Sequence, residues 1–87
     1  MPGTLSYELS AHAVAVMAER EIPKEWVTRV LLEPERTERD KSDPALRHAL
    51  GRIAERDDRV LRVVYNETVE PWRVVTAYFD RTMRGAL

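Results

Sequence analysis

Two prolines set the plan of the first third of the chain. A proline fits the first turn of a helix, where its missing N–H has no partner to lose, but it breaks a helix interior. Pro23 therefore opens a helix, and Pro34 closes it, because the residue before a proline is pushed out of the α region. Between them, Lys24 to Glu33 carries Val27, Val30 and Leu31 on one stripe, flanked by Trp26. Upstream, Ser10 suits the N-cap of a first helix. Ala11, Val14, Met17 and Ala18 follow at helical spacing, with no Gly or Pro as far as Arg20. Only Glu21, Ile22 and Pro23 separate the two periodic runs. So short a link predicts a helical hairpin or corner over residues 10–33.

After Pro34 the period changes from helix to strand. Glu35 to Asp40 is almost wholly charged and reads as an edge strand or a loop, and Lys41 to Pro44 as a turn. Leu46 to Glu55 alternates, with Leu46, His48, Leu50 and Arg52 on one face and Arg47, Ala49, Gly51 and Ile53 on the other. The polar turn Arg56-Asp57-Asp58-Arg59 leads into Val60 to Asn66, a near-continuous apolar run of the kind a central strand needs. Glu67 to Pro71 is a second turn, and Trp72 to Phe79 is rich in β-branched and aromatic residues. Strict alternation there would place Trp72, Val74, Thr76, Tyr78 and Asp80 on one face, and Arg73, Val75, Ala77, Phe79 and Arg81 on the other. Leu5 to Leu9 reads as a short strand or an extended lead-in, and Thr82 to Leu87 as a tail with one frayed turn. Short polar connections between successive strands imply an antiparallel meander. The expectation is one α+β domain over residues 1–87: two N-terminal helices packed on one face of a sheet of three or four antiparallel strands spanning about 35–81. The other face stays open, and a site is to be sought there.

Composition narrows the chemistry. The chain has 87 residues, 44% of them hydrophobic, and no cysteine, which rules out disulfides and thiolate metal sites. Two histidines in different elements do not suggest a transition-metal centre, so neither a metal nor a cofactor is expected. No apolar run approaches the ~20 residues of a membrane helix, and no signal peptide is read, so the expected location is cytoplasmic with no membrane partner. Net charge is −1, unevenly divided. Residues 1–45 hold six Lys/Arg against nine acids, whereas residues 46–87 hold eight Arg, no Lys and six acids. Arg forms bidentate bonds to phosphate and to carboxylate alike, so the basic half is either a salt-bridged surface or a phosphate-facing patch.

Several side chains have the right types for metal-free RNA cleavage. That reaction needs a base for the 2′-hydroxyl, an acid for the leaving 5′-oxygen and a cation for the charged phosphorus centre. His12 lies in the first turn of the first helix, where the dipole disfavours imidazolium; it is either a neutral general base or a capping and packing residue. Tyr78 and Thr76 offer hydroxyls, Arg52 and Arg81 cations. His12, Arg52, Tyr78 and Arg81 are the candidate catalytic residues, and Arg62, Tyr65, Thr76 and Arg84 the candidate substrate contacts. For Thr76, Tyr78 and Tyr65 the bland alternative is β propensity with a half-buried ring. His48 either grips phosphate with Arg52 on an open face or is a hydrogen-bonded core residue; the company of Leu46 and Leu50 favours the core.

The segments Tyr7-Glu8-Leu9-Ser10-Ala11-His12-Ala13, Met17-Ala18-Glu19-Arg20-Glu21-Ile22, Trp26-Val27 and Leu31-Leu32-Glu33-Pro34 resemble the small bacterial family catalogued as domain of unknown function 4258. Arg62-Val63-Val64-Tyr65 and Val74-Val75-Thr76-Ala77-Tyr78 are similar to its two core strands. Two positions depart from the family pattern: Val16 stands where an Arg is usual before the Met, and Glu21 where a Gly is usual. At fold level the family resembles the colicin D, colicin E5, RelE and BrnT ribonucleases. That resemblance implies a toxin-type endoribonuclease working without metal, with RNA as substrate and an antitoxin protein as partner. The competing reading is a non-catalytic interaction module that uses the open sheet face or an edge strand, as a homodimer does.

Overall fold

The computed structural model describes residues 5–87. Strand β1 (Tyr7–Leu9) leads into helix α1 (Ala11–Glu19) and helix α2 (Lys24–Leu32). Strands β2 (Arg36–Arg39), β3 (Leu46–Ile53), β4 (Arg59–Asn66) and β5 (Trp72–Phe79) follow, with short 3-10 turns at Ala54–Arg56 and Arg81–Met83. The class is α+β, with both helices on one side of a single sheet. The sheet departs from the expected meander of three or four antiparallel strands in both strand number and direction, and both departures come from the lead-in. Among the described residues it has five strands in the order β1-β5-β4-β3-β2, and β1 runs parallel to β5. The lead-in is thus a true edge strand, and both helices and strands β2, β3 and β4 lie between it and its neighbour in sequence.

The helices begin and end as their sequences demand. Ser10 caps α1: its hydroxyl accepts from Ala13 N–H at 3.0 Å and donates to the Val75 carbonyl at 3.1 Å, which ties the helix start to β5. At the other end, Ile22 N–H returns to the Met17 carbonyl at 2.8 Å and Glu21 N–H to that of Ala18 at 3.3 Å, a Schellman closure. That closure puts Glu21 at φ 57°, in the left-handed region. A side chain there costs ~1–2 kcal/mol, of which glycine's greater unfolded-state freedom offsets ~0.4–1. Glu21→Gly is therefore expected to stabilise the fold by about 0.5–1 kcal/mol, seen as a higher urea midpoint with an unchanged slope. A lower midpoint would show that the Glu21 side chain makes a compensating contact.

One face of the sheet holds the core. Ala13, Met17, Ile22, Val27, Val30 and Leu31 from the helices meet Ala49, Ile53, Leu61, Val63, Tyr65, Val74 and Ala77 from the strands, all buried. Gly51 lets α2 approach: a Cβ there would stand 3.2 Å from Val30 Cγ2. Arg29 on α2 clamps Glu55 with two bonds of 2.9 Å. The Arg29 guanidinium, then a backbone N–H, holds the Glu55 carboxyl down to about 2.

The register carries a second correction. Val64 lies opposite Thr76, but the next residue, Tyr65, lies opposite Val74, so β5 bulges at Val75. An extra residue in one strand reverses the alternation beyond it. Trp72 and Val74 therefore turn to the core, together with Ala77 and Phe79, while Thr76 and Tyr78 turn to the open face. The simple alternation across Trp72 to Asp80 breaks at this bulge.

Candidate functional site on the open sheet face

Neither α-helix buries its apolar stripe on the opposite face, where two cross-strand rows run side by side. One row is Glu38, His48, Val64 and Thr76; the next is Arg36, Leu50, Arg62 and Tyr78. Leu50, Val60 and Val64 are buried on this face, outside the main core, and give it an apolar base. His48 thus belongs to the open face rather than to the helix-packed core. Leu50 belongs to a small apolar layer on this face, so apolar company along β3 does not mark the helix-packed core.

Arg62 is the centre of the face. Its side chain is only 10% exposed, so each N–H needs a partner. Nε and Nη2 donate to Asp80 Oδ2, each at 2.8 Å. Nη1 donates to Glu38 Oε1 at 3.1 Å and to His48 Nδ1 at 2.7 Å. A guanidinium only donates, so Nδ1 must accept. The imidazole is then neutral, with its proton on Nε2, which donates to Asp40 Oδ1 at 2.7 Å. Asp80 Oδ1 in turn accepts from the backbone N–H and hydroxyl of Thr82. Burial pushes the Arg62 guanidinium down, but Glu38 and Asp80 outweigh it and leave it raised. Asp80 is held below the usual carboxylate range by Thr82 first and Arg62 after it, Glu38 by Arg62, and Asp40 by His48 and the amides of Asp43 and Ser42.

Beside this face, at the end of β5, a cleft of about 440 Å³ opens. Arg20, Arg56, Arg59, Arg81 and Arg84 line it, with Val60 and Phe79 as its apolar wall and Asp80 as its carboxylate. Asp80 therefore borders both features.

The residues singled out from the sequence divide between locations. Tyr78, Thr76 and Arg62 share the open face, and Arg81 and Arg84 the adjoining cleft. Arg52 also lies on the open-face side of β3, but its Nε and Nη2 hold Glu35 at 2.9 and 2.8 Å and its backbone N–H holds the same carboxylate at 2.7 Å. His12 is exposed on α1, in the helical layer across the sheet from Arg62 and Tyr78, and is not brought together with them. Tyr65 is 5% exposed and stacks on Trp72 at 5.1 Å inside the core, so it does not face a substrate on the open side. Burial, then Glu67, raises its hydroxyl pKa. Asp40 and Glu38 lie in a charged run, and Arg20, Arg56 and Arg59 at a helix end and a polar turn, where no local pattern marks them as site residues. Five Arg near element ends that the topology brings to one end of the sheet are legible only once strand order is known.

The fold and its sites define a small α+β domain with a polar open sheet face and an arginine-lined end. The chain belongs to the family described as domain of unknown function (DUF4258), whose model matches residues 9–79. No curated protein and no solved structure matches it. Among the described residues no group of His, Cys, Asp and Glu is arranged to hold a metal ion, and no helix is long and apolar enough to cross a membrane.

Proposed function

We propose that the protein is a metal-independent endoribonuclease that cleaves RNA on the open sheet face. The observation that supports this reading is the meeting, on adjacent strands of one uncovered face, of an imidazole, a guanidinium and a phenol: His48, Arg62 and Tyr78. In this scheme a phosphate entering the face draws on the Arg62 N–H groups and frees the His48 Nδ1 lone pair. His48 takes the 2′-hydroxyl proton, and the 2′-oxygen bonds to phosphorus. The P–O5′ bond breaks as the Tyr78 hydroxyl gives its proton to the leaving oxygen. The products are a 2′,3′-cyclic phosphate and a 5′-hydroxyl. Arg81 stabilises the charge that builds on the phosphoryl oxygens, and Thr76 orients the phosphate. The fold-level likeness to the RelE, BrnT and colicin ribonucleases belongs to the same proposal, as does an antitoxin that would restrain the enzyme.

The test is incubation of the purified protein with single-stranded RNA in EDTA, scored for cyclic-phosphate ends. Tyr78→Phe keeps the ring and removes the acid, so it should slow cleavage by ~10²–10⁴-fold at unchanged stability. Absence of cleavage by the parent protein, or full activity in Tyr78→Phe, rejects the scheme. The alternative of a pairing module is less well served by the edge at β2, where Arg36, Glu38 and Arg39 put charges on the strand and discourage strand addition.

A further inference from the structure

The arginine-lined cleft has a feature that the cleavage scheme does not require. Arg20 comes from the end of α1, Arg56 and Arg59 from the β3–β4 connection, and Arg81 and Arg84 from the segment after β5. Three separate stretches thus deliver five guanidinium groups to one concavity. None of the five makes an ion pair among the described residues, although Arg29, Arg36, Arg47, Arg52, Arg62 and Arg73 all do. The cleft's carboxylate, Asp80, is already engaged by Arg62 and Thr82. Like charges held together in a cleft repel one another and focus a positive field, which a chain of net charge −1 does not need for solubility. One of the five is fixed in advance. Arg56 donates to the Glu21 carbonyl at 2.9 Å and lies over the rings of Trp26 and Phe79, at 5.2 and 5.6 Å from their centroids.

We infer that this cleft is a binding site for the phosphate backbone of single-stranded nucleic acid. Guanidinium groups match phosphate oxygens in geometry as well as charge. They match carboxylates too, but the partly exposed Phe79 ring adds an apolar wall against which a base can lie, a surface that an acidic peptide side chain does not use. The volume of about 440 Å³ accommodates a nucleotide-sized group. Because Asp80 borders both features, a strand held in the cleft runs onto the face that carries His48, Arg62 and Tyr78. The inference thereby supplies the RNA-holding part of the proposed ribonuclease, yet its test does not depend on cleavage.

The test measures binding of a fluorescent 2′-O-methyl oligonucleotide, which lacks the attacking hydroxyl, by anisotropy over a range of salt. The variants are Arg59→Ala and Arg84→Ala, which make no hydrogen bond to the fold through their side chains among the described residues, with Arg39→Ala on β2 as a charge-matched control. Each cleft variant should weaken binding several-fold at low salt and reduce the slope of log affinity against log salt by ~0.7, one phosphate contact per arginine. Arg39→Ala should leave the slope unchanged. Equal effects from all three variants, or none from the cleft pair, overturn the inference. Displacement of the oligonucleotide by polyglutamate as readily as by polyphosphate of matched charge would assign the cleft to an acidic peptide instead. Binding without RNA cleavage would keep the cleft and remove the ribonuclease; cleavage with unaltered binding in the cleft variants would do the reverse.

Discussion

Arg62→Met should destabilise the fold by ~3–5 kcal/mol, the usual loss when one partner of a buried ion pair is removed. The side chain is 10% exposed and Asp80 beside it 12%, so neither is well screened by water. Methionine fills most of the volume but leaves Asp80 facing a thioether and strips His48 Nδ1 of its donor. Glu38 is 34% exposed and can turn toward solvent, so the loss should concentrate at Asp80. A domain of this size has ~5–15 kcal/mol in total, so the urea midpoint should fall steeply. Adding Asp80→Asn should restore part of the loss, since an amide needs no cation and its oxygen still accepts from Thr82. A midpoint within error of the parent would show that water replaces the guanidinium at no cost. Acid should work in the same direction. Asp80, Glu38 and Asp40 all have lowered pKa values in the folded state, so their contribution is complete above the ordinary carboxylate range and is lost as pH falls below it.

This arginine also marks the limit of what the sequence could reveal. Helices bounded by Pro23 and Pro34, and the strands around Val63 and Val75, are local signals of period and punctuation, and the structure contains them. The parallel pairing of Tyr7–Leu9 with β5 is not local. Three residues of weak alternation carry no mark of which edge they join or in which direction. The bulge at Val75 is equally silent, since Val-Val inside an apolar strand looks the same with or without an extra residue, yet it decides which of Trp72 and Tyr78 meets the helices. Of the candidate site residues, Tyr78, Thr76 and Arg62 share the open face and Arg81 and Arg84 the adjoining cleft, because they cluster on two adjacent strands and the turn after β5. The signal at His12 is its place in the first turn of a helix, and helix position says nothing about which side of the sheet the helix covers. The pairing of His48 with Asp40 and Arg62 needed the register, because its partners lie 8 and 14 residues away in sequence.

The largest packing effect is expected at Leu61. It is fully buried on β4, between Gly51 on one neighbouring strand and Phe79 on the other. Leu61→Ala removes three heavy atoms, and the loss grows with the cavity that remains. Gly51 has no side chain with which to fill it, and Val30 is already set against Gly51 from above. Phe79, its partner on β5, is held edge-on by Trp26 at 6.3 Å and lies under the Arg56 guanidinium. Little collapse is available, which places Leu61→Ala in the upper part of the ~2–5 kcal/mol range for such substitutions. Urea unfolding of the single variant measures this directly. Gly51→Ala should be tolerated better in the Leu61→Ala background than in the parent, because the new methyl crowds Val30 in a full core and has room to shift beside a cavity. Simple additivity of the two changes would show that Gly51 and Leu61 do not share the same space. Since Phe79 also walls the arginine cleft, a Leu61→Ala protein kept folded by low temperature should bind the oligonucleotide more weakly than the parent. Unchanged affinity in that variant would mean that the wall at Phe79 is held by Trp26 and Arg56 alone, independently of the core beneath it.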